Sequence, residues 1–380
     1  MGVVLVFEPA TDVHWMKDVV QFPNALSQMS KGTNATLITR PNHKQKELEK
    51  YIQIVYLDEI IHANYSNFEY SDFCTSKLIT SCEWYLSACK KAADIGDTLI
   101  LYPWFGDAFR GARIFKIKRW LKLKKAFVVF KTDGFLRGKS NLKLGVKGRI
   151  KDYFKYFFFD KIICENREIY TRIKTNQTHL GGKLTYIPNC PLDIYYTSQI
   201  PSYKDRAKNF LFVGRISAAQ KGADILLDQW LTIFDKIKDW KLQLVGPCSD
   251  DFKQIWQSKI KDAKAESSVQ WFPAASPNEL LNYYKNARVV VCSSRDDSGP
   301  IVLSEAIVSG CAFIGTAVGE IPDILNDMNG LVKDVNKLGD ELLLFALNDN
   351  IALEQAIRLR GKLGNRKWSE QVKKIKHKKD

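Results

Sequence analysis

Residues 293–310, "SSRDDSGPIVLSEAIVSG", carry two carboxylates eight positions apart, Asp297 and Glu305. Pro300 suits the first position of a helix, with Gly299 before it and Gly310 at its end. Glu305 then lies a little over one turn inside, on the face of Ile301 and Ser309. Asp297 lies in the approach loop, and the free N–H groups of the first turn fall between the two acids. An ionised carboxylate only accepts, and it takes two hydroxyl donors at once. Two acids and a row of N–H donors on one rim suit a polyhydroxylated, phosphate-bearing ligand. Glu305 has largely apolar helix neighbours, so its charge needs a partner.

Three further segments of residues 205–330 could serve the same ligand. In "VGRISAAQKGAD", Gly214 and Arg215 end a strand and Lys221-Gly222 opens a helix. Two cations beside a helix N-terminus make an anion site that a pyrophosphate would fit. In "LVGPCSDD", Gly246 lets the backbone approach a ligand closely. In "VQWFPAASPNEL", Phe272 ends a strand whose loop backbone could read a nucleobase edge.

These segments need a frame, and the chain supplies one by alternation. "GVVLVF", "ATLITR", "IQIVYL", "TLILY", "AFVVF" and "KIICEN" read as strands with helical patterns between them. The alternation restarts with "NFLFVGR", "WKLQLVG", "VQWF", "RVVVCSS" and "AFIGTAV". Short β-rich runs alternating with helices mean βαβ units and parallel sheets. The expected fold is α/β, with two Rossmann-like doubly wound domains facing a central cleft. The expected divisions are a first Rossmann-like domain at 1–197, a second at 205–360 and a basic segment at 361–380 that packs back on the first domain. The patch at 190–208, with Pro191 and Pro201, is the break. Open parallel sheets bind ligands at the carboxyl ends of their strands.

With these elements placed, the second half resembles the GT-B retaining glycosyltransferases of the GT4 type, also called group 1. "FVGRISAAQKGADILL", "QLVG" and "DSGPIVLSEAIVSGCAFIGTAVGEIPDIL" carry the resemblance, and the family's acid-x7-Glu spacing is kept as Asp297-x7-Glu305. "PNC" at 188–190 resembles the family's "PNG". The resemblance covers about 187–335 well and the first half in outline. It implies that Arg215 and Lys221 hold the donor diphosphate and stabilise the leaving group. It implies that Glu305 binds ribose hydroxyls, that Asp297 contacts donor-sugar hydroxyls, and that the backbone of Gly299, Pro300 and Ile301 lines sugar and phosphate. The implied donor is a UDP- or GDP-sugar, with no cofactor beyond it. No D-x-D triplet occurs, so a metal-independent site is expected.

The chain departs from the family twice. The first motif acid is Asp where Glu is usual, which shortens its reach to the sugar and bears on donor choice. Many relatives carry a His after the strand equivalent to "AFVVF", whereas this chain has "FKTDGF". Asp133 is the acid available there, as a sugar-lining residue or as the first half of an Asp-Gly turn. His14 is a second candidate.

The formal net charge is +15, and its distribution is uneven. Between Arg110 and Lys151 there are fifteen Lys or Arg and one acid, Asp133. Such concentration points to an anionic partner. In "ARIFKIKRWLKLKKAF" (112–127), Ile114, Ile117, Trp120 and Leu121 fall on one helical side. Arg113, Lys116, Lys118, Arg119, Trp120, Lys122, Lys124 and Lys125 form the expected surface for an anionic membrane or an acceptor. The aromatics of "DYFKYFFFDK" are expected to be buried. Nucleic acid is the lesser alternative, since no recognised module for it is visible. None of the eight cysteines sits in a C-x-x-C pair, as in a reducing compartment. No apolar run approaches the roughly 20 residues of a membrane span. The expected location is cytoplasmic, peripheral on the membrane face. The expected activity is transfer of a hexosyl group from a nucleotide sugar to a lipid-linked or membrane-proximal glycan. The alternative is a non-catalytic protein of the same fold that binds a glycan or anionic polymer.

Overall fold

The first apolar run, Val3–Val6, forms a strand whose four residues are all buried. A strand buried on both faces belongs inside a parallel sheet covered by helices, and the computed structural model has that arrangement twice. It describes residues 2–7, 18–29, 34–39, 48–57, 82–102, 108–132 and 145–375. The chain divides into Met1–Pro188 with Trp368–Asp380, and Asn189–Lys367.

In the first unit the elements run β1 (Val3–Val6), α1 (Asp18–Met29), β2 (Thr36–Thr39), β3 (Gln53–Tyr56), α2 (Cys82–Ile95), β4 (Thr98–Leu101), α3 (Ala108–Leu121), β5 (Phe127–Lys131), α4 (Val146–Tyr156), β6 (Lys161–Cys164), α5 (Arg167–Asn176) and β7 (Leu184–Tyr186). The strands pair in the order β3-β2-β1-β4-β5-β6-β7, and every pairing is parallel. One core forms where Trp84, Tyr85, Cys89 and Phe115 of the helices meet Val4, Leu99, Val128 and Ile162 of the strands. At the carboxyl end of β5, Lys131 is fully buried, 2.9 Å from Glu165, with its ammonium 5.6 Å from the Tyr102 ring centre.

The second unit holds α6 (Ile194–Thr197), β8 (Ala207–Val213), α7 (Ala223–Leu231), β9 (Lys241–Val245), α8 (Asp250–Asp262), β10 (Val269–Phe272), α9 (Pro277–Asn286), β11 (Ala287–Cys292), α10 (Ile301–Val308), β12 (Ala312–Thr316), α11 (Ile321–Leu325), β13 (Leu331–Val332), α12 (Leu338–Leu347) and α13 (Asp349–Leu363). Its strand order is β10-β9-β8-β11-β12-β13. The register levels the ends of three neighbours, since Val213 pairs with Val245 and Val245 with Phe272. Phe210 stacks on Trp240 at 4.5 Å in this unit's core. The chain then rejoins the first unit through α14 (Trp368–Gln371), where the Trp368 ring lies 5.9 Å from that of Phe22 on α1. The fold is α/β, with two Rossmann-like units.

The structure corrects two readings of the basic region. Arg119 is buried: its guanidinium donates to the carbonyls of Ala93 (3.2 Å), Gly96 and Lys125. It ties α3 to the end of α2 and does not face outward. Lys116 pairs with Asp160 at 2.7 Å, and Lys118 and Lys122 both pair with Asp94. Lys118, and then Lys122, hold the Asp94 carboxyl down at about 2. Four of the seven cations expected to face a membrane thus serve internal contacts. Arg113, Lys124, Lys125 and Trp120 are exposed. The second correction concerns "DYFKYFFFDK". Tyr156 and Phe159 are buried as expected, whereas Phe154 and Phe157 are exposed.

Candidate donor site

The site is built where β8 and β11 end side by side. After β8 the chain passes Gly214 and Arg215, makes a single turn at Ala219–Lys221, and enters α7 through Gly222. Gly222 has φ +66, and a Cβ there would lie 2.0 Å from the Ser293 carbonyl. Only glycine fits. Ser293 Oγ, at the end of β11, donates 2.8 Å to the Gly222 carbonyl. At Gly246 (φ +146), past the end of β9, a Cβ would stand 1.9 Å from the Gly214 carbonyl. The glycines therefore draw three strand-end loops together. Phe272 closes β10 beside them, its carbonyl accepting from Gly246 N–H at 3.1 Å. Its ring lies 5.0 Å from that of Tyr283.

Lys221 and Asp297, 76 positions apart, meet at 2.6 Å. Both are largely withdrawn from solvent, with side-chain exposures of 25% and 12%. An ammonium has three donors, so the pairing with Asp297 aims Lys221 and leaves donor capacity for an anion. Arg215 is exposed and donates to Gln220 Oε1 at 3.1 Å. Gln220 in turn donates to the Asp296 carbonyl and accepts at its own carbonyl from Arg295 N–H. Arg295 forms a two-pronged pair with Asp224, which holds the Asp224 carboxyl below its ordinary range. Sequence reading missed Gln220, Asp224 and Arg295. All three lie inside the quoted motifs, but the pairing between two segments of chain has no local signature.

The helix α10 begins at Ile301 with Pro300 as its N-cap, φ −63 and ψ 111, one residue later than the sequence spacing predicts. The N-cap proline makes no side-chain cap bond, and Leu303 N–H bonds the Pro300 carbonyl at 3.1 Å, which leaves the N–H groups of Ile301 and Val302 at the helix start. Asn189, of the "PNC" segment, donates 3.2 Å to the Gly299 carbonyl and fixes the turn. The helix ends as Gly310 N–H bonds the Ile307 carbonyl and Cys311 N–H that of Ala306, the pattern of a Schellman stop.

Glu305 does need partners, and two tyrosines provide them. Tyr284 Oη of α9, fully buried, donates to Glu305 Oε2 at 2.7 Å. Tyr195 of α6 also hydrogen-bonds this carboxylate, and the two rings meet edge-on at 5.9 Å. Burial pushes the Glu305 carboxyl up to about 7, against the pull of both hydroxyls. These tyrosines were not read from the sequence. The "YYKNA" run places Tyr284 three residues before β11, a helical position whose partner is set only by packing.

Of the residues singled out from the sequence, Arg215, Lys221, Gly246, Phe272, Asp297, Gly299, Pro300, Ile301 and Glu305 all belong to the second unit. Asp133 and His14 lie outside the described residues. Among the described residues no group of three or more His, Cys, Asp or Glu could hold a metal ion. No helix of the described residues is long and apolar enough to cross a membrane.

The fold is a two-unit α/β one, and the Lys221–Asp297 pair lies at the strand ends of its second unit. Residues 207–358 match the family described as "Glycosyl transferases group 1". The match covers less than half of the chain, whose fold is of the GT-B type. The D-inositol 3-phosphate glycosyltransferase of Arthrobacter sp. (strain FB24) is 26% identical over 176 residues, 43% of this chain and 42% of that protein. The chain thus matches less than half the length of this relative. Among solved structures, the Anabaena protein Alr3699/HepE in complex with UDP and glucose is similar at a TM-score of 0.67, with 13% identity, over 99% of this chain and 98% of that one. Sucrose-phosphate synthase from Thermosynechococcus elongatus is similar at a TM-score of 0.71, with 14% identity, over 99% and 97%.

Proposed function

We propose that this protein is a glycosyltransferase that moves a hexosyl group from a UDP- or GDP-sugar to a lipid-linked or membrane-proximal glycan. The reading is supported by one observation: the Lys221–Asp297 pair, the start of α10 and Glu305 lie together in the segment that matches the group 1 family. Arg215 and Lys221 would hold the diphosphate, assisted by helix N–H groups. Glu305 would take the two ribose hydroxyls. Asp297 would keep Lys221 aimed while facing the sugar hydroxyls. The bond from C1 of the sugar to the diphosphate oxygen breaks, and a bond from C1 to the acceptor oxygen forms. With attack on the same face, the acceptor's proton passes to the departing phosphate oxygen. That route retains configuration, as the family resemblance implies, and Lys221 and Arg215 stabilise the charge that develops. The step needs no metal. The protein would act on the cytoplasmic face of a membrane.

The test is release of nucleoside diphosphate from UDP-glucose and GDP-mannose, with and without EDTA. Activity should survive EDTA and fall at least about 100-fold in Lys221→Ala, the scale for losing one oxyanion-stabilising donor. Full activity in Lys221→Ala or in Glu305→Gln would overturn the assignment. Tight nucleotide binding without turnover of any nucleotide sugar would favour the non-catalytic reading.

A further inference from the structure

The helix α4 is built the wrong way round for a core helix. Of its eleven residues only Tyr156 is buried. Tyr156 packs against Phe109 of α3 at 5.2 Å, and the Lys155 ammonium lies 4.3 Å from the same ring. Those contacts define the inward side. Val146, Ile150, Tyr153, Phe154 and Phe157, the last being the helical C-cap, are 74, 53, 43, 68 and 49% exposed. At the α-helical advance these five fall within about 100° of the circumference. An apolar stripe of that width normally faces a core. Here it faces outward, and a rimmed apolar patch of this kind marks a docking surface.

The rim identifies the partner. Lys147 and Arg149 stand on either side of the stripe and Lys151 lies just beyond, all exposed. The one acid of the helix, Asp152, is turned inward, 3.8 Å from His179. A second copy of the chain would set these cations against their own kind. A nucleic acid would find aliphatic Val146 and Ile150 where it needs charge. An anionic bilayer satisfies both parts, with acyl chains for the stripe and headgroups for the rim. On the neighbouring helix, the end of α3 and the turn after it expose Trp120, Leu121 and Leu123 at 71, 70 and 95%, beside Lys124 and Lys125. We propose that α4 is the membrane-docking element of this protein, lying in the interface of an anionic leaflet with Ile150, Phe154 and Phe157 inserted. The inference rests on the membrane-proximal acceptor proposed above and transfers the docking role from α3 to α4.

The experiment is co-sedimentation of the full chain with vesicles of phosphatidylcholine plus phosphatidylglycerol, and of phosphatidylcholine alone. The wild type should partition to the anionic vesicles, less so as salt is raised. Ile150→Ser/Phe154→Ser and Lys147→Glu/Lys151→Glu should each lower that partition about tenfold or more. Both should keep the wild-type circular dichroism. UDP-induced thermal shifts, measured on the same samples, should not change, which separates this inference from the donor-site reading. Failure of the wild type to bind anionic vesicles would overturn the proposal, as would equal binding by Ile150→Ser/Phe154→Ser. A wild-type dimer that this double variant dissociates would also overturn it, by assigning the stripe to contacts between copies.

Discussion

Replacing Tyr284 by Phe removes one hydroxyl and little else, which makes it a clean probe of Glu305. The Glu305 carboxyl rises from 4.5 to about 7 in the folded protein because it is buried. Between those values the folded state holds a proton that the unfolded state has released. Wild-type stability therefore falls as pH rises from 4.5 toward 7, by at most about 3 kcal/mol. The Tyr284 hydroxyl, 2.7 Å away, offsets part of that penalty. Below the transition it bonds a neutral acid, and losing it should cost about 1 kcal/mol. Above the transition it bonds a carboxylate, and losing it should cost about 2–3 kcal/mol. The cost of Tyr284→Phe should thus roughly double as pH crosses 7. Urea unfolding of wild type and variant, well below and well above that pH, measures it. In a Glu305→Gln background the cost should stay near 1 kcal/mol at both pH values. A cost that is flat with pH in the wild-type background, or that shrinks as pH rises, would refute the reasoning.

Other outcomes follow from the same geometry. If Glu305 accepts ribose hydroxyls as a carboxylate, nucleotide affinity should strengthen as pH rises through about 7, and titration calorimetry across that range would show it. Gly246→Ala should destabilise the second unit by more than about 1 kcal/mol, since its Cβ would fall 1.9 Å from the Gly214 carbonyl at a φ of +146; thermal melts would detect it. Lys131→Met should cost about 3–5 kcal/mol by removing the buried counter-charge 2.9 Å from Glu165. Adding Glu165→Met should recover much of that loss in the same melts.

The alternation of β-rich runs with helical ones was enough to read two parallel sheets, because strands buried throughout, such as Val3–Val6 and residues 127–130 of β5, are continuously apolar. The glycine turns of the candidate site were legible for a similar reason. Gly222 and Gly246 mark backbone approaches that no other residue allows, and such constraints are written locally. What could not be read was which side chain meets which across long separations. Tyr284 and Tyr195 reach Glu305 from two different helices, and Arg295 finds Asp224 from 71 positions away. Arg119 reads as one more cation of a basic helix until the carbonyls at the end of α2 are seen around it. The α4 stripe was misread because apolar periodicity reports a face and not its direction. Tyr156 alone, seated against Phe109, shows which side is in.

The central claim is that the second domain holds a nucleoside diphosphate between Lys221 and Glu305. Titration calorimetry of UDP and GDP into the wild type, Lys221→Ala and Glu305→Gln, each with EDTA, tests it most directly. One of the two nucleotides should bind the wild type despite EDTA, and each variant should lose about tenfold or more in affinity, the scale of one charged hydrogen bond. Absence of binding by either nucleotide, or wild-type affinity in both variants, would contradict the account.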